Sequence, residues 1–63
     1  MKLLNVAQLS EFLNIKKKTI YDWCHKQQIP FIKVGGLLRF DHDDIMRWLQ
    51  SKKRKPRRAF EIQ

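Results

Sequence analysis

The chain has 63 residues, 43% hydrophobic and 32% charged, with 14 Lys and Arg against 6 Asp and Glu for a net charge of +8. That length allows one domain at most, one that buries about 60% of the surface its unfolded chain exposes, so a small apolar core fits and a deep catalytic cleft does not. The single cysteine, Cys24, cannot form an internal disulfide, and with no signal peptide and no apolar run of spanning length the expected place is the reducing cytoplasm, off any membrane.

Asn5 is a good N-cap, and Gln8 three residues on completes a capping-box pair. Val6, Leu9, Phe12 and Leu13 recur at helical spacing, so a first helix is expected from Val6 to Leu13. Leu4 precedes the cap and can staple onto that helix. Asn14 tolerates the left-handed conformation that ends a helix, and Ile15 can plug the corner from below.

A second helix is expected from about Lys17 to Lys26. Ile20, Trp23 and Cys24 share one stripe; Lys17, Lys18, Tyr21, Asp22 and His25 fall elsewhere. Its cap would be Lys16, a poor capping residue, and its first turn is cationic where the helix dipole prefers anions. A cluster that works against helix stability points to a phosphate-bearing partner. Pro30 ensures that the helix has ended.

Residues 29–40 read as two strands around Gly35-Gly36, with Ile32 and Val34 alternating with Lys33, and Leu38 and Phe40 with Arg39. The pattern suggests a hairpin with one apolar and one basic face. A two-residue loop would oppose Ile32 with Arg39 and bring that arginine to the apolar side. The expectation is therefore a longer loop or a bulge that includes Leu37, with Val34 facing Leu38. Asp41 then caps a third helix, from about His42 to Ser51, with Asp43 and Asp44 in the turn the dipole favours and Ile45, Trp48 and Leu49 as its apolar stripe. Residues 1–51 form the expected domain. Residues 52–63, with six basic side chains and one acidic, form a basic tail expected to be disordered.

Two short helices around a tight turn, the second of them basic, describe a helix-turn-helix, and the adjacent hairpin makes it winged. Leu9, Leu13, Ile15, Ile20 and Trp23 fall at the core spacing of such a unit, with Ser10 small where the helices approach. The fold class expected is mainly α with a small β-hairpin: helix-turn-helix, two-stranded wing, C-terminal helix.

Residues 3–49 resemble the small winged-helix proteins of the excisionase type, within the broader MerR-like group. The likeness is carried by Thr19-Ile20-Tyr21-x-Trp23 after a basic pair, then Pro30, Gly35-Gly36, an Arg-containing strand and Asp44-Ile45. It implies double-stranded DNA binding by a recombination directionality factor of a phage or transposon integrase, one that bends DNA, or by a small transcriptional regulator of a prophage or plasmid. Carried over by position, Lys17, Lys18, Thr19 and Tyr21 fall on the DNA-facing helix, and Lys33, Gly35, Gly36 and Arg39 on the wing. Three positions depart from the pattern: Lys16 stands where Ser is usual, Asp22 where a basic residue is frequent, and Leu37 where the wing tip is more often polar.

Lys16, Lys17 and Lys18 are expected on phosphates; with the tail they would give a salt slope of about −5 to −7. Thr19 suits a phosphate, a thymine methyl or a structural role in the turn, and Tyr21 can donate to a phosphate. Asp22 can accept from a cytosine amine, but an i,i+4 pair with Lys18 or Lys26 is the favoured reading. His25 could touch backbone or base. Lys33 and Arg39 would reach phosphates or the minor groove, and Leu37 is either a wedge for a base step or simply exposed. Lys52, Lys53, Arg54, Lys55, Arg57 and Arg58 would contact DNA or a recombinase.

No spacing of Cys24, His25 and His42 suits a metal, and no cofactor is expected. With no nucleophile–base pair or phosphate loop in view, the chain is not expected to be an enzyme. The aromatic residues read as core, which weighs against single-strand binding. A protein-interaction module whose tail meets an acidic partner is the rival of another class. A monomer binding cooperatively beside further copies of itself on repeated sites, associated with the nucleoid, is the expected state.

Overall fold

The computed structural model describes residues 1–54; the tail positions Lys55, Arg57 and Arg58 lie outside the described residues. The elements run β1 (Leu3–Leu4), α1 (Val6–Leu13), α2 (Lys17–His25), β2 (Ile32–Val34), β3 (Leu37–Asp41) and α3 (His42–Lys52). The strands form one antiparallel sheet in the order β1-β3-β2.

Local chemistry sets the helix ends. At α1 the Gln8 amide donates to Asn5 Oδ1 at 2.7 Å and the Asn5 amide to Gln8 Oε1 at 2.9 Å, a complete capping box. Asn14 takes the left-handed conformation, φ 58° and ψ 46°. Beyond it the Ile15 amide donates to the Ser10 carbonyl at 3.1 Å and Ser10 Oγ donates back to the Ile15 carbonyl. This double tie fixes the corner between α1 and α2; the backbone half is open to any residue, and the side-chain half needs the hydroxyl of Ser10. Lys16 makes no side-chain cap. Asp41 caps α3 by accepting from the Asp43 amide.

Leu4, Val6, Leu9, Ile20, Cys24, Ile29, Phe40 and Ile45 form the buried core, with Phe40, Leu9, Ile20 and Ile45 shut away from solvent. Each of those side chains contributes about 1.5–3 kcal/mol by leaving water, which is how so short a chain holds three helices on a sheet. The arrangement is a helix-turn-helix of α1 and α2, a wing of β2 and β3, and a closing helix α3, in keeping with the expected fold.

Four details differ from the sequence reading. Leu4 pairs with Phe40 and Leu3 with Asp41, adding a third strand to the wing sheet. The hairpin has the strict two-residue loop, with Val34 opposite Leu37, Lys33 opposite Leu38 and Ile32 opposite Arg39. Gly35 at φ 55° and Gly36 at φ 88° both take positive values, as a two-residue turn that matches strand twist requires. Phe12, placed in the core by its spacing, is 46% exposed and lies against His42 with ring centroids 5.5 Å apart. Helix α3 continues one residue past Ser51, so Lys52 belongs to its last turn and not to the tail.

A candidate nucleic-acid interface

Helix α2 presents Lys16, Lys17, Lys18, Tyr21, Asp22 and His25 to solvent, with Thr19 half-buried. No ion pair involves Lys16, Lys17 or Lys18 among the described residues. Asp22 pairs with Lys26 at 3.2 Å, each about half exposed, so the pair contributes only about 0.3–0.5 kcal/mol. That geometry supplies the i,i+4 partner anticipated for Asp22. It also cancels one positive charge on the outer face, leaving the lysines of the first turn as its net charge.

Across from α2 stands the wing. Lys17 and Tyr21 line a cleft of about 440 Å³ together with Gly36, Leu37, Leu38 and Arg39, and with Asn5, Val6 and Ala7 at the start of α1. The fold thus brings the basic turn of the helix and the tip of the hairpin to one recess. Asn5, Val6 and Ala7 were not anticipated there: their place follows from how α1 crosses the sheet, which leaves no mark in local sequence.

The observed register corrects the expected division of the wing into a basic and an apolar face. Directly opposed residues share a face and successive residues alternate. One face therefore carries Ile32, Val34, Leu37 and Arg39; the other carries Lys33, Leu38 and Phe40. Lys33 and Arg39 point to opposite sides. Arg39 is half-buried and its Nη1 donates to the Leu38 carbonyl at 2.7 Å, which holds the guanidinium against its own strand. Lys33 is exposed on the other side. Lys52, Lys53 and Arg54 leave the domain at the far end of α3, exposed.

The larger recess, about 580 Å³, lies between the helices and is lined by Leu13, Ile15, Trp23, Gln28, Trp48, Leu49 and Lys52. Trp23 and Tyr21 are about 200° apart around the helix axis, so this recess and the basic cleft flank α2 on opposite sides. The indoles of Trp23 and Trp48 meet at 5.6 Å, and Trp48 Nε1 donates to the Gln28 carbonyl at 3.0 Å. These contacts tie the end of α2 to α3. Among the described residues no group of His, Cys, Asp and Glu could hold a metal ion, and no helix is long and apolar enough to cross a membrane.

Residues 3–53 match a family model described as a helix-turn-helix domain. No curated protein matches the chain, and no solved structure matches it.

Proposed function

The chain belongs to this helix-turn-helix domain family and binds DNA, and on that premise we propose that it is a sequence-specific duplex-binding protein of the excisionase type, a recombination directionality factor working beside an integrase. Its α2 would lie in a major groove, with Lys16, Lys17 and Lys18 on the flanking phosphates and Thr19, Tyr21, Asp22 and His25 toward the bases. The wing, through Lys33, Gly35, Gly36, Leu37 and Arg39, would meet the neighbouring backbone and minor groove. Lys52, Lys53 and Arg54 would add charge at a distance.

The observation that carries this reading is the shared cleft: Lys17 and Tyr21 from the helix face Gly36, Leu37 and Arg39 from the wing. One sugar-phosphate strand between two grooves has the shape and charge to run there. The absence of an acidic group in the first turn of α2 gives the lysines an unopposed field for phosphates. The described helices are short, at 8, 9 and 11 residues. That suits monomers set side by side on repeated sites.

A transcriptional regulator would use the same contacts, and the two roles separate by assay. A footprint on DNA flanking the gene should show several adjoining protected sites. Purified protein added to the cognate integrase should raise excision of a linear element. Protection of one operator without any effect on excision would favour the regulator.

A further inference from the structure

We infer that the wing tip is an apolar wedge that opens a DNA minor groove, with Leu37 and Val34 as its working side chains and an easily unstacked base step as its target. The inference rests on the reading of α2 and the wing as a duplex-binding surface, and it assigns the wing a job other than phosphate binding.

The register carries the argument. Val34 and Leu37 are the opposed pair that flanks the two-residue turn, so their side chains stand together on one face. They are 54% and 58% exposed. Among the described residues, no cation of the hairpin itself stands beside them at the tip. Lys33 projects from the other face of the hairpin, and Arg39 is drawn back onto the Leu38 carbonyl. Gly35 and Gly36 add no side chain. A wing built to hold phosphates would carry a free cation at the tip; this one carries two apolar side chains on a tight turn.

Size gives the consequence. Hairpin strands lie about 4.8 Å apart before side chains are counted, and an unperturbed minor groove is about 6 Å wide. Two branched apolar side chains abreast enter such a groove only as it widens. Their burial then replaces exposure to water with contact on sugars and base edges. Widening the minor groove with apolar side chains unstacks a step and kinks the duplex by roughly 20–90° toward the major groove. Here the major groove holds α2, across the cleft that Leu37 shares with Lys17 and Tyr21, so the kink folds the duplex around the recognition helix. Pyrimidine–purine steps unstack most readily, and the wing would prefer one by deformability, without a hydrogen bond to a base.

The test uses duplexes selected by the full chain from a random library, labelled at both ends for energy transfer and carrying 2-aminopurine at successive steps. The wild-type chain should shorten the end-to-end distance and brighten one step, a pyrimidine–purine step facing the wing. Leu37→Ala with Val34→Thr should abolish both signals while affinity falls about fivefold, the loss of roughly half a leucine's burial. Leu37→Lys should recover affinity through a phosphate but leave the duplex straight and the step dark. Both positions are exposed and outside the core, and an unchanged amide spectrum of α1, α2 and α3 verifies the fold of each variant. A bend and a bright step that persist in the double variant would overturn the wedge, as would a wild-type complex with straight DNA. Failure of the wild-type chain to select any duplex would overturn the duplex-binding reading itself, and the wedge with it.

Discussion

Replacing Lys16, Lys17 and Lys18 together by Gln should weaken DNA binding and stabilise the fold in the same protein. All three are exposed at the N-terminal end of α2, Lys16 makes no capping bond, and the first turn has no acidic residue. Positive charge at that end opposes the helix dipole. At exposed positions the penalty sits near the low end of about 0.3–1 kcal/mol per charge, so removing three should return about 1 kcal/mol. In a domain of this size that amounts to a rise in Tm of about 4–8 °C. On the DNA side, three fewer phosphate contacts should make the salt slope shallower by about 2.7. Between 50 and 200 mM salt the variant would then lose about fortyfold less affinity than the parent. Melting followed by circular dichroism and anisotropy titrations against a labelled duplex read the two effects. Lys26→Gln is the control: that lysine is paired with Asp22, and its loss should change the slope by less than one contact. A lower Tm, or an unchanged slope, would refute the view that these lysines are held against the helix dipole for the sake of phosphates.

Asp22→Ala should raise affinity for every duplex alike, since it removes a carboxylate from the outer face and releases Lys26; competition against single-base variants checks this, and a loss confined to one base pair would mean that the carboxylate reads a base. Gln27 sits at φ 56° just past α2, where the Gln28 amide donates to the Trp23 carbonyl at 2.8 Å and the Gln27 amide to the Cys24 carbonyl at 3.1 Å. Gln27→Gly should therefore relieve left-handed strain and stabilise by roughly 0.5 kcal/mol after the added freedom of the unfolded chain is subtracted; chemical denaturation with an unchanged m-value would register it. Burial pushes the Cys24 thiol above its ordinary 9.0, so as pH rises the unfolded chain loses this proton first and stability falls on the alkaline side. The difference in Tm between parent and Cys24→Val should be constant to about pH 8 and shift against the parent above it, and a constant difference up to pH 10 would contradict this.

The parts that could be read along the chain are those governed by neighbours a few residues away. Asn5 with Gln8, Asn14 and Asp41 mark helix ends through bonds within one turn, and the apolar stripes of α1, α2 and α3 follow from the helical period. What escaped depends on tertiary placement. Leu3–Leu4 is too short to show an alternation, and it becomes a strand only because Phe40 and Asp41 pass beside it. The hairpin register departs from the alternation of residue types for a physical reason. Burial enforces a register where one face is covered, but the tip of the wing projects beyond the core, with Val34 and Leu37 both exposed. There the turn decides, and Gly35-Gly36 supplies two consecutive positive φ values without steric cost. Arg39 consequently joins the apolar face, an outcome the alternation of residue types argued against. Phe12 keeps helical spacing yet lies at the rim beside His42. The candidate site divides the same way: the lysines and Tyr21 announce themselves on one helix, while their meeting with Leu37 and Arg39 across a cleft belongs to the fold.

The central claim is that the flank of α2 facing the wing, and not the tryptophan recess on its other side, receives the duplex. Titrating the isotopically labelled chain with a duplex selected for binding, and following every amide, tests it most directly. Shifts should concentrate at Lys17, Lys18, Tyr21, Gly36 and Leu37, and leave Leu13, Leu49 and the indole N–H groups of Trp23 and Trp48 where they were. Shifts centred on the tryptophan recess, with the first turn of α2 and the wing unmoved, would contradict the account.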